Sequence, residues 1–334
     1  MGVEKVACVV CGGSETEVVS RSDRHGQPLI TVLCGGCGLL RNDPVPSQEA
    51  LDQFYRRDYR RAYKGASEPR LRQVWRNFDR LTGHVRAFED IYARGGDWLD
   101  LGAGSGEFSF LAGRMGARVI PVEPNEGYAG YCRRVLDLDV QVKTLEECDF
   151  APGSFDLIRL SHVLEHMRDP RAALERLRGW LRPGGVLYIE VPDIEADASN
   201  KLQGRMFHYG HIHNFNPVTL RQVAGRAGLV ELAETAERSV GRCAAFFTAG
   251  AGGEVPEAVL RENAARLRAA MEAHRARRLP RPRAGTAAGA LADRIARRLR
   301  EAWAGWRLAS HRGIAETAAE RLPRGRQSEA AQAA

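Results

Sequence analysis

The stretch Trp98-Leu99-Asp100-Leu101-Gly102-Ala103-Gly104-Ser105-Gly106-Glu107-Phe108 decides the fold. An apolar strand runs directly into a turn that contains three glycines, and a helical pattern follows the turn. Because glycine has no Cβ, the backbone amides of such a turn can approach a ligand closely, at the positively polarised start of a helix. Glu123 stands 21 residues after Gly102, at the end of the next apolar run. A carboxylate at that position can accept hydrogen bonds from ribose hydroxyls.

Short apolar runs alternate with helix-length segments on both sides of this turn. The runs lie at 98–101, 119–122, 140–142, 155–160, 186–191, 229–232 and 243–248. This alternation predicts βαβ units and a mainly parallel sheet, and right-handed crossovers would place helices on both faces. The predicted fold class is therefore α/β, with a Rossmann-like sheet.

Four regions follow from these patterns. They are a cysteine-rich segment at 1–46, a helical segment at 47–95 that begins with Ser47 as its N-cap, the α/β domain at 96–250, and an Arg- and Ala-rich extension at 251–334. Apolar stripes in the extension, at 260, 264, 267 and 271 and at 291, 295, 299, 302 and 306, predict two helices over 254–310. We expect the polar end of the extension to be disordered from about residue 321.

The glycine turn alone is weak evidence for a particular cofactor. The dinucleotide fingerprint requires a glycine where this chain has Glu107. The pattern Asp-x-Gly-x-Gly-x-Gly instead resembles motif I of class I methyltransferases. Three further landmarks follow in that family's order: Phe155-Asp156-Leu157-Ile158, Val163-Leu164-Glu165-His166 and Leu181-Arg182-Pro183-Gly184-Gly185. The resemblance covers roughly residues 97–248 and implies S-adenosylmethionine as cofactor; a Rossmann domain for another nucleotide is the alternative.

The resemblance also implies which residues hold the cofactor. They are Asp100, Gly102, Gly104 and Gly106 around the methionine part, Glu123 and the following Pro124 at the ribose, Leu145 at the adenine, and Ser161 with His162 at the start of a covering loop.

Two Cys-x-x-Cys pairs stand near the N-terminus, Cys8 with Cys11 and Cys34 with Cys37. Glycines follow each pair closely, as tight knuckles require. Four thiolates that converge tetrahedrally make a closed, structural Zn²⁺ site. A redox pair is the alternative, although no thioredoxin-like βαβ pattern surrounds these cysteines.

The segment around the second pair carries a resemblance of its own. Cys37-Gly38-Leu39-Leu40 and Asn42-Asp43-Pro44-Val45-Pro46-Ser47 are similar to zinc-knuckle methyltransferases of glycan and natural-product pathways, including sugar C-methyltransferases. Those C-methyltransferases add a large C-terminal α/β domain. Here an Arg-rich helical extension follows instead, which puts methylation of a nucleotide-linked sugar in doubt.

His162, Glu165 and His166 form a His-x-x-Glu-His motif after a predicted strand. The motif is that of one metalloprotease class, but its place beside a cofactor loop argues against a protease. Some quinone-pathway relatives bind a divalent metal at this spot, and these three residues could do the same. His166 could otherwise act as a base in the acceptor pocket or be a structural histidine.

A second histidine cluster, His208-Tyr209-Gly210-His211-Ile212-His213, lies where class I methyltransferases build the acceptor pocket. In sugar C-methyltransferases a Tyr-His-Glu-His-like run supplies catalytic residues there, but Gly210 replaces the Glu and His208 the first Tyr. Because histidine is the usual general base near neutral pH, we predict that His211, His166 and His213 are catalytic. The histidines could also bind a metal or hold the loop.

Composition limits the remaining classes. No apolar run approaches the length of about 18 residues that a membrane span needs, and we expect a cytoplasmic protein. The net charge is +7, and 17 arginines lie beyond residue 253. This basic extension makes an RNA methyltransferase the second hypothesis, but its acidic residues and the lack of base-methyltransferase motifs argue against nucleic acid as a partner. A non-catalytic assembly protein is the third, and the C-terminal helices could pair two copies as a homodimer. We therefore predict a methyltransferase for a small-molecule acceptor.

Overall fold

The computed structural model describes residues 7–54, 68–200, 206–239, 241–276 and 310–323. Its contacts divide the chain into two compact units. The first consists of Met1–Gln53 and Asp149–Leu279, and the second of Phe54–Cys148 and Pro280–Ala334. Each unit is thus assembled from segments that are distant in sequence.

The strands and helices of the first unit are as follows. They are β1 (Thr16–Ser22), β2 (Pro28–Cys34), β3 (Leu40–Asn42), α1 (Gln48–Gln53), β6 (Phe155–Ser161), α6 (Pro170–Trp180), β7 (Leu181–Pro192), α7 (Ile194–Asn200), β8 (His213–Asn214), α8 (Pro217–Arg226), β9 (Leu229–Glu231), β10 (Glu237–Ser239), β11 (Arg242–Ala249) and α9 (Glu257–Ala276).

The second unit contains α2 (Leu71–Ala87), α3 (Glu89–Tyr92), β4 (Asp97–Leu101), α4 (Glu107–Arg114), β5 (Arg118–Val122), α5 (Glu126–Tyr131), which continues as one π-helical turn over Cys132–Leu136, and α10 (His311–Ala319).

A small antiparallel sheet in the first unit has the strand order β1-β2-β3-β8. Its inner face carries Val19, Leu33 and Leu40, which pack in one apolar cluster with Phe207 and with Leu267 of α9. The stripe predicted for α9 is confirmed, since Leu260, Ala264, Leu267 and Met271 are all buried. The helix stays on this sheet because burying these side chains is the main favourable term in its packing.

A larger sheet in the first unit combines parallel and antiparallel pairs. Strands β6 and β7 are parallel, and β11 is antiparallel to β7, to β10 and to β9. The helix between β6 and β7 begins at Asp169, whose carboxylate accepts a hydrogen bond from the amide of Ala172 at 3.0 Å, and Pro170 follows at the first helical position. The predicted runs at 155–160, 186–191 and 243–248 lie in strands, and β9 covers the run at 229–232 except for its last residue.

In the second unit, β4 and β5 pair in parallel, with Leu99 opposite Ile120. The predicted α/β class is confirmed, but a strand at 140–142 is wrong. Only Gln141 makes a bridge, to Val122. The amide and the carbonyl of Gln141 bond to Pro121 and Glu123 beside β5, whereas the carbonyl of Val140 accepts from the Arg133 guanidinium.

Two helices, α1 and α10, can be compared with the sequence predictions. Ser47 caps α1 as predicted, because its Oγ accepts from the amide of Ala50 at 3.3 Å. Helix α10 was not predicted; it buries Ile314 and Ala318 in the second unit, where Glu316 pairs with Arg114. The second of the predicted C-terminal helices, with its stripe at 291–306, lies outside the described residues. No described helix is long and apolar enough to cross a membrane.

Candidate active site

The glycine turn between β4 and α4 adopts backbone angles that require glycine. Gly102, Gly104 and Gly106 all have positive φ, and Gly106 has φ 79°. A Cβ on Gly106 would lie 2.9 Å from the Sγ of Cys132 and 2.7 Å from a methyl group of Leu138. Both the backbone conformation and the close packing around Gly106 therefore require glycine at this position.

Glu123 lies against this turn. It is 4% exposed, and its Oε2 accepts a hydrogen bond from the amide of Gly104 at 2.9 Å. Its Oε1 accepts one from the amide of Asn125 at 3.1 Å. The predicted ribose ligand and the predicted cradle are thus neighbours in the folded unit.

Other predicted cofactor residues of the second unit lie within or near the strand ends. Asp100 is fully buried and accepts a hydrogen bond from the Oγ of Ser109 at 2.6 Å. Leu145 is buried, and Pro124 is half-buried beside Glu123. These positions are compatible with the predicted roles, which stay predictions.

Sequence reasoning assigned no role to Glu107, which is buried at the start of α4. Its Oε1 accepts hydrogen bonds from the Oγ of Ser105 at 2.7 Å and from the side-chain amide of Asn77 at 2.8 Å. The residue that departs from the dinucleotide fingerprint therefore holds the turn to α2. No capping-box spacing marks this contact in the sequence, since the N-cap of α4 is Gly106.

In the first unit, Ser161 is the last residue of β6 and His162 follows it. Ser161 donates a hydrogen bond to Glu190 at 2.7 Å. His162 has the left-handed φ of 56°, and its ring lies between two buried carboxylates, with Nε2 3.4 Å from Glu190 and Nδ1 3.4 Å from Glu165. A non-glycine residue in this conformation costs about 1–3 kcal/mol and is typical of functional sites.

Glu165 is the centre of the histidine cluster. It is 1% exposed, and among the described residues neither of its carboxylate oxygens has a hydrogen-bond donor. Its Oε1 lies 3.7 Å from the Nε2 of His166 and 3.8 Å from the Nε2 of His211. A buried carboxylate without a donor is costly unless a positive charge compensates it.

The ring of His166 is held in one orientation. Its Nδ1 lies 2.5 Å from the carbonyl oxygen of Gly210. Because a carbonyl only accepts, Nδ1 carries the proton, and in the neutral ring Nε2, which faces Glu165, is then the basic nitrogen. The ring centroids of His166 and His211 are 4.9 Å apart, and those of His208 and His211 are 3.8 Å apart, with the two ring planes tilted by 52°.

Comparison with known proteins identifies the family of this core. The sequence model of one family, described as a methyltransferase domain, matches residues 72–234. The matched segment, residues 72–234, is slightly less than half of the chain and resembles a methyltransferase domain. The predicted Rossmann-like α/β fold is thereby confirmed, and the match agrees with the prediction of a methyltransferase domain.

Individual relatives cover only part of the chain. Two ubiquinone biosynthesis O-methyltransferases are similar to it: that of Parvibaculum lavamentivorans is 33% identical over 110 residues, 31% of this chain and 42% of that protein, and that of Ruegeria pomeroyi is 32% identical over 120 residues, 34% and 46%. The chain thus spans less than half the length of these relatives. A solved 1,6-didemethyltoxoflavin-N1-methyltransferase of Burkholderia thailandensis is 18% identical, with a TM-score of 0.48 over 66% of this chain and 96% of that one.

His213 of the methyltransferase domain does not join the other histidines. It is 0% exposed, and its Nε2 lies 3.3 Å from the carbonyl oxygen of Arg168. Burial lowers the pKa of His213 to about 4, since it penalises the imidazolium, and the charge of Arg41 acts in the same direction. The catalytic role of His213 therefore stays a prediction, and the full burial of its ring does not favour contact with an acceptor.

The four N-terminal cysteines converge as predicted. The Sγ atoms of Cys8 and Cys37 are 3.6 Å apart, those of Cys11 and Cys34 are 3.5 Å apart, and all four lie within 4.8 Å of one another. Four sulfurs around Zn²⁺ at about 2.3 Å would be separated by about 3.8 Å, so the donor set fits this ion. Hydrogen bonding to Cys11 lowers the pKa of Cys34 below its ordinary value and raises that of Cys37.

Proposed function

We propose that the chain uses S-adenosylmethionine to methylate a small-molecule acceptor. The observation that carries this proposal is the contact of Glu123 with the amide of Gly104, because it joins a carboxylate suited to ribose hydroxyls to a turn suited to the methionine part. The family model and the names of the two O-methyltransferase relatives support the same reaction. The finer acceptor class, a hydroxyl or carbon of a sugar, glycan intermediate or natural product, belongs to this proposal.

The cofactor supplies the methyl group and the sulfide leaving group of an in-line displacement. The task of the protein is to align an acceptor and to remove its proton. His166 and His211 suit that task, because their side chains are only 9% and 14% exposed and both Nε2 atoms face Glu165. A proton taken up at either Nε2 would give an imidazolium that the buried carboxylate stabilises.

The limited exposure of these histidines also favours a small acceptor. A base in a recess can reach a hydroxyl of a compact molecule, whereas RNA would need an exposed cationic surface with many phosphate contacts. The four cysteines have a structural part in this proposal, as a closed Zn²⁺ site without an open position. Ser161 and His162 remain candidates for covering the cofactor.

Binding of a divalent cation by Glu165, His166 and His211 is a second candidate role for the cluster. It is favoured by the carboxylate of Glu165, which accepts no hydrogen bond from the described residues. Two imidazoles and one carboxylate form a ligand set of open metal sites. Thermal melts with MnCl₂ separate the two roles. A metal site predicts a rise in Tm that Glu165→Gln abolishes, and equal melts with and without MnCl₂ would leave the histidines as bases.

Calorimetry with S-adenosylhomocysteine tests the cofactor site. We expect binding by the wild type and about 10- to 100-fold weaker binding by Glu123→Gln, because a charged hydrogen bond contributes about 1.5–3 kcal/mol. Glu126→Gln, an exposed carboxylate at the start of α5, is the matched control and should bind as the wild type does. A wild type that does not bind S-adenosylhomocysteine would refute the proposed reaction.

The acceptor class is tested with methyl-tritiated S-adenosylmethionine and a cell extract separated into a low-molecular-mass fraction and total RNA. We expect label in the first fraction. His211→Gln should lower its incorporation while the affinity for S-adenosylhomocysteine stays unchanged. Label in the RNA fraction alone would contradict a small acceptor.

A further inference from the structure

The histidine loop, residues 207–214, ends in strand β8. Among the described residues, β8 pairs only with β3, which lies directly after the second cysteine pair. Strand β3 begins three residues after Cys37, and it pairs with β8, with Leu40 opposite Asn214 and Arg41 opposite His213. This ladder is only two residues long on the β8 side. Strand β8 is too short to be stable alone, so its position depends on β3.

Asn42, the last residue of β3, extends the connection to the part of the loop that carries His211. Its backbone amide donates to the carbonyl of Ile212 at 2.9 Å, and its side-chain Nδ2 donates to the carbonyl of Tyr209 at 3.1 Å. These two carbonyls flank His211. Of the two carbonyls between them, that of Gly210 accepts a hydrogen bond from the Nδ1 of His166. Asn42 is 1% exposed, so water would not replace these bonds easily.

The other end of the loop is connected to the same cysteine pair by a relay of two asparagines. The side chain of Asn263 in α9 donates to the carbonyl of Cys37 at 2.8 Å. Asn216, the N-cap of α8, donates to the Oδ1 of Asn263 at 2.7 Å. Both asparagines are 0% exposed. Gly38 allows this approach, since a Cβ there would lie 3.0 Å from the Cα of Ala264.

We propose that Asn42 and Asn263 are positioning residues, through which the metal-bound Cys34–Cys37 turn sets the position of His211 in the acceptor site. This inference rests on the proposed function, because it assigns the knuckle a part in the same reaction. A metal ion that links Cys34 and Cys37 to the first pair fixes the β2–β3 turn. Removing the ion frees that turn, and with it β3, the two hydrogen bonds of Asn42 and the relay to Asn216.

Hydrogen exchange of the full chain, measured by mass spectrometry before and after zinc removal with a chelator, tests the proposal. We expect amide exchange in the peptide covering 207–216 to accelerate at least about tenfold, the equivalent of one lost buried hydrogen bond, and to recover with stoichiometric ZnCl₂. The peptide covering 98–108 should be unchanged. Unchanged exchange at 207–216 after verified zinc loss would overturn the proposal, and so would equal acceleration of both peptides, because the knuckle would then be a general stabiliser.

Asn42→Ala tests the connection independently of metal removal. We expect faster exchange at 207–212 with the metal content of the wild type, and a changed imidazole ¹⁵N spectrum for His166 and His211. Gln222→Ala is the matched control: Gln222 is a buried amide of α8 that bonds Glu254 and Val255 instead of the loop. A control that gives the same ¹⁵N changes would overturn the positioning role.

The test also separates this inference from the proposed function. Normal S-adenosylhomocysteine binding together with an unresponsive loop would refute only the coupling. If the wild type does not bind S-adenosylhomocysteine, the proposed reaction is refuted. The hydrogen-exchange measurement would still decide whether the cysteine knuckle holds the histidine loop.

Discussion

Replacing Gly106 by alanine tests whether the glycine turn is built as the structure indicates. At φ 79° an L-residue costs about 1–2 kcal/mol. The new Cβ would also meet Leu138 at 2.7 Å and the Sγ of Cys132 at 2.9 Å. The methyl group of Leu138 can rotate away, but Cys132 is fully buried and its thiol donates to the carbonyl of Gly104. Crowding of this kind costs about 1–3 kcal/mol.

The expected net effect of Gly106→Ala is a loss of about 2–4 kcal/mol in the free energy of unfolding. This value includes a gain of about 0.4–1 kcal/mol from the less flexible unfolded chain. Gly113→Ala is the matched control in the same helix, since no atom lies within 4 Å of its added Cβ. That variant should be more stable than the wild type by about 0.5–1 kcal/mol.

Urea titrations followed by circular dichroism measure both variants, and calorimetry with S-adenosylhomocysteine shows whether the turn still binds. We expect Gly106→Ala to lose affinity as well as stability, and Gly113→Ala to keep wild-type affinity. If Gly106→Ala unfolds within about 0.5 kcal/mol of the wild type, the size of an ordinary surface substitution, our account of the turn is wrong.

Two further predictions follow from other parts of the fold. His213 has its pKa lowered to about 4, so between pH 6.5 and 4 the unfolded chain binds a proton that the native state does not; the free energy of unfolding should fall by up to about 3 kcal/mol as the pH drops through this window. Urea titrations at several pH values should show that the free energy of unfolding depends less on pH in His213→Gln than in the wild type. The exposed His25→Gln variant should keep the pH dependence of the wild type. Asp169→Ala removes the N-cap of α6 and should cost about 1 kcal/mol, measured against Asp139→Ala, an exposed aspartate outside any helix; equal stability of these two variants would exclude the capping role.

Local sequence patterns predicted most of the strands and helices. The strands on either side of the glycine turn, the burial of α9 and the cap at Ser47 all follow from periodicity and from residue types next to each other in the chain. Motif spacing also led to the four cysteines, whose sulfurs converge. These features are predictable because the forces behind them, backbone conformation and burial of one apolar face, act over a few residues.

Convergence of side chains from distant segments could not be read in the same way. The position of the histidines suggested both His211 and, with less weight, His213. Of the two, only His211 approaches Glu165, because the pairing of β3 with β8 turns His213 into the interior. The sequence showed Glu165 only as part of the His-x-x-Glu-His motif. The structure shows that its carboxylate is buried without a hydrogen-bond donor among the described residues.

The sequence by itself determined the class of this protein: a glycine turn with positive φ, a carboxylate one strand later and two cysteine pairs, each imposed by local sterics and spacing. Only the tertiary structure showed which of the two histidines lies beside Glu165 and which asparagines bond to the loop that carries it. That choice depends on a ladder between residues about 170 positions apart, and no local pattern encodes its register.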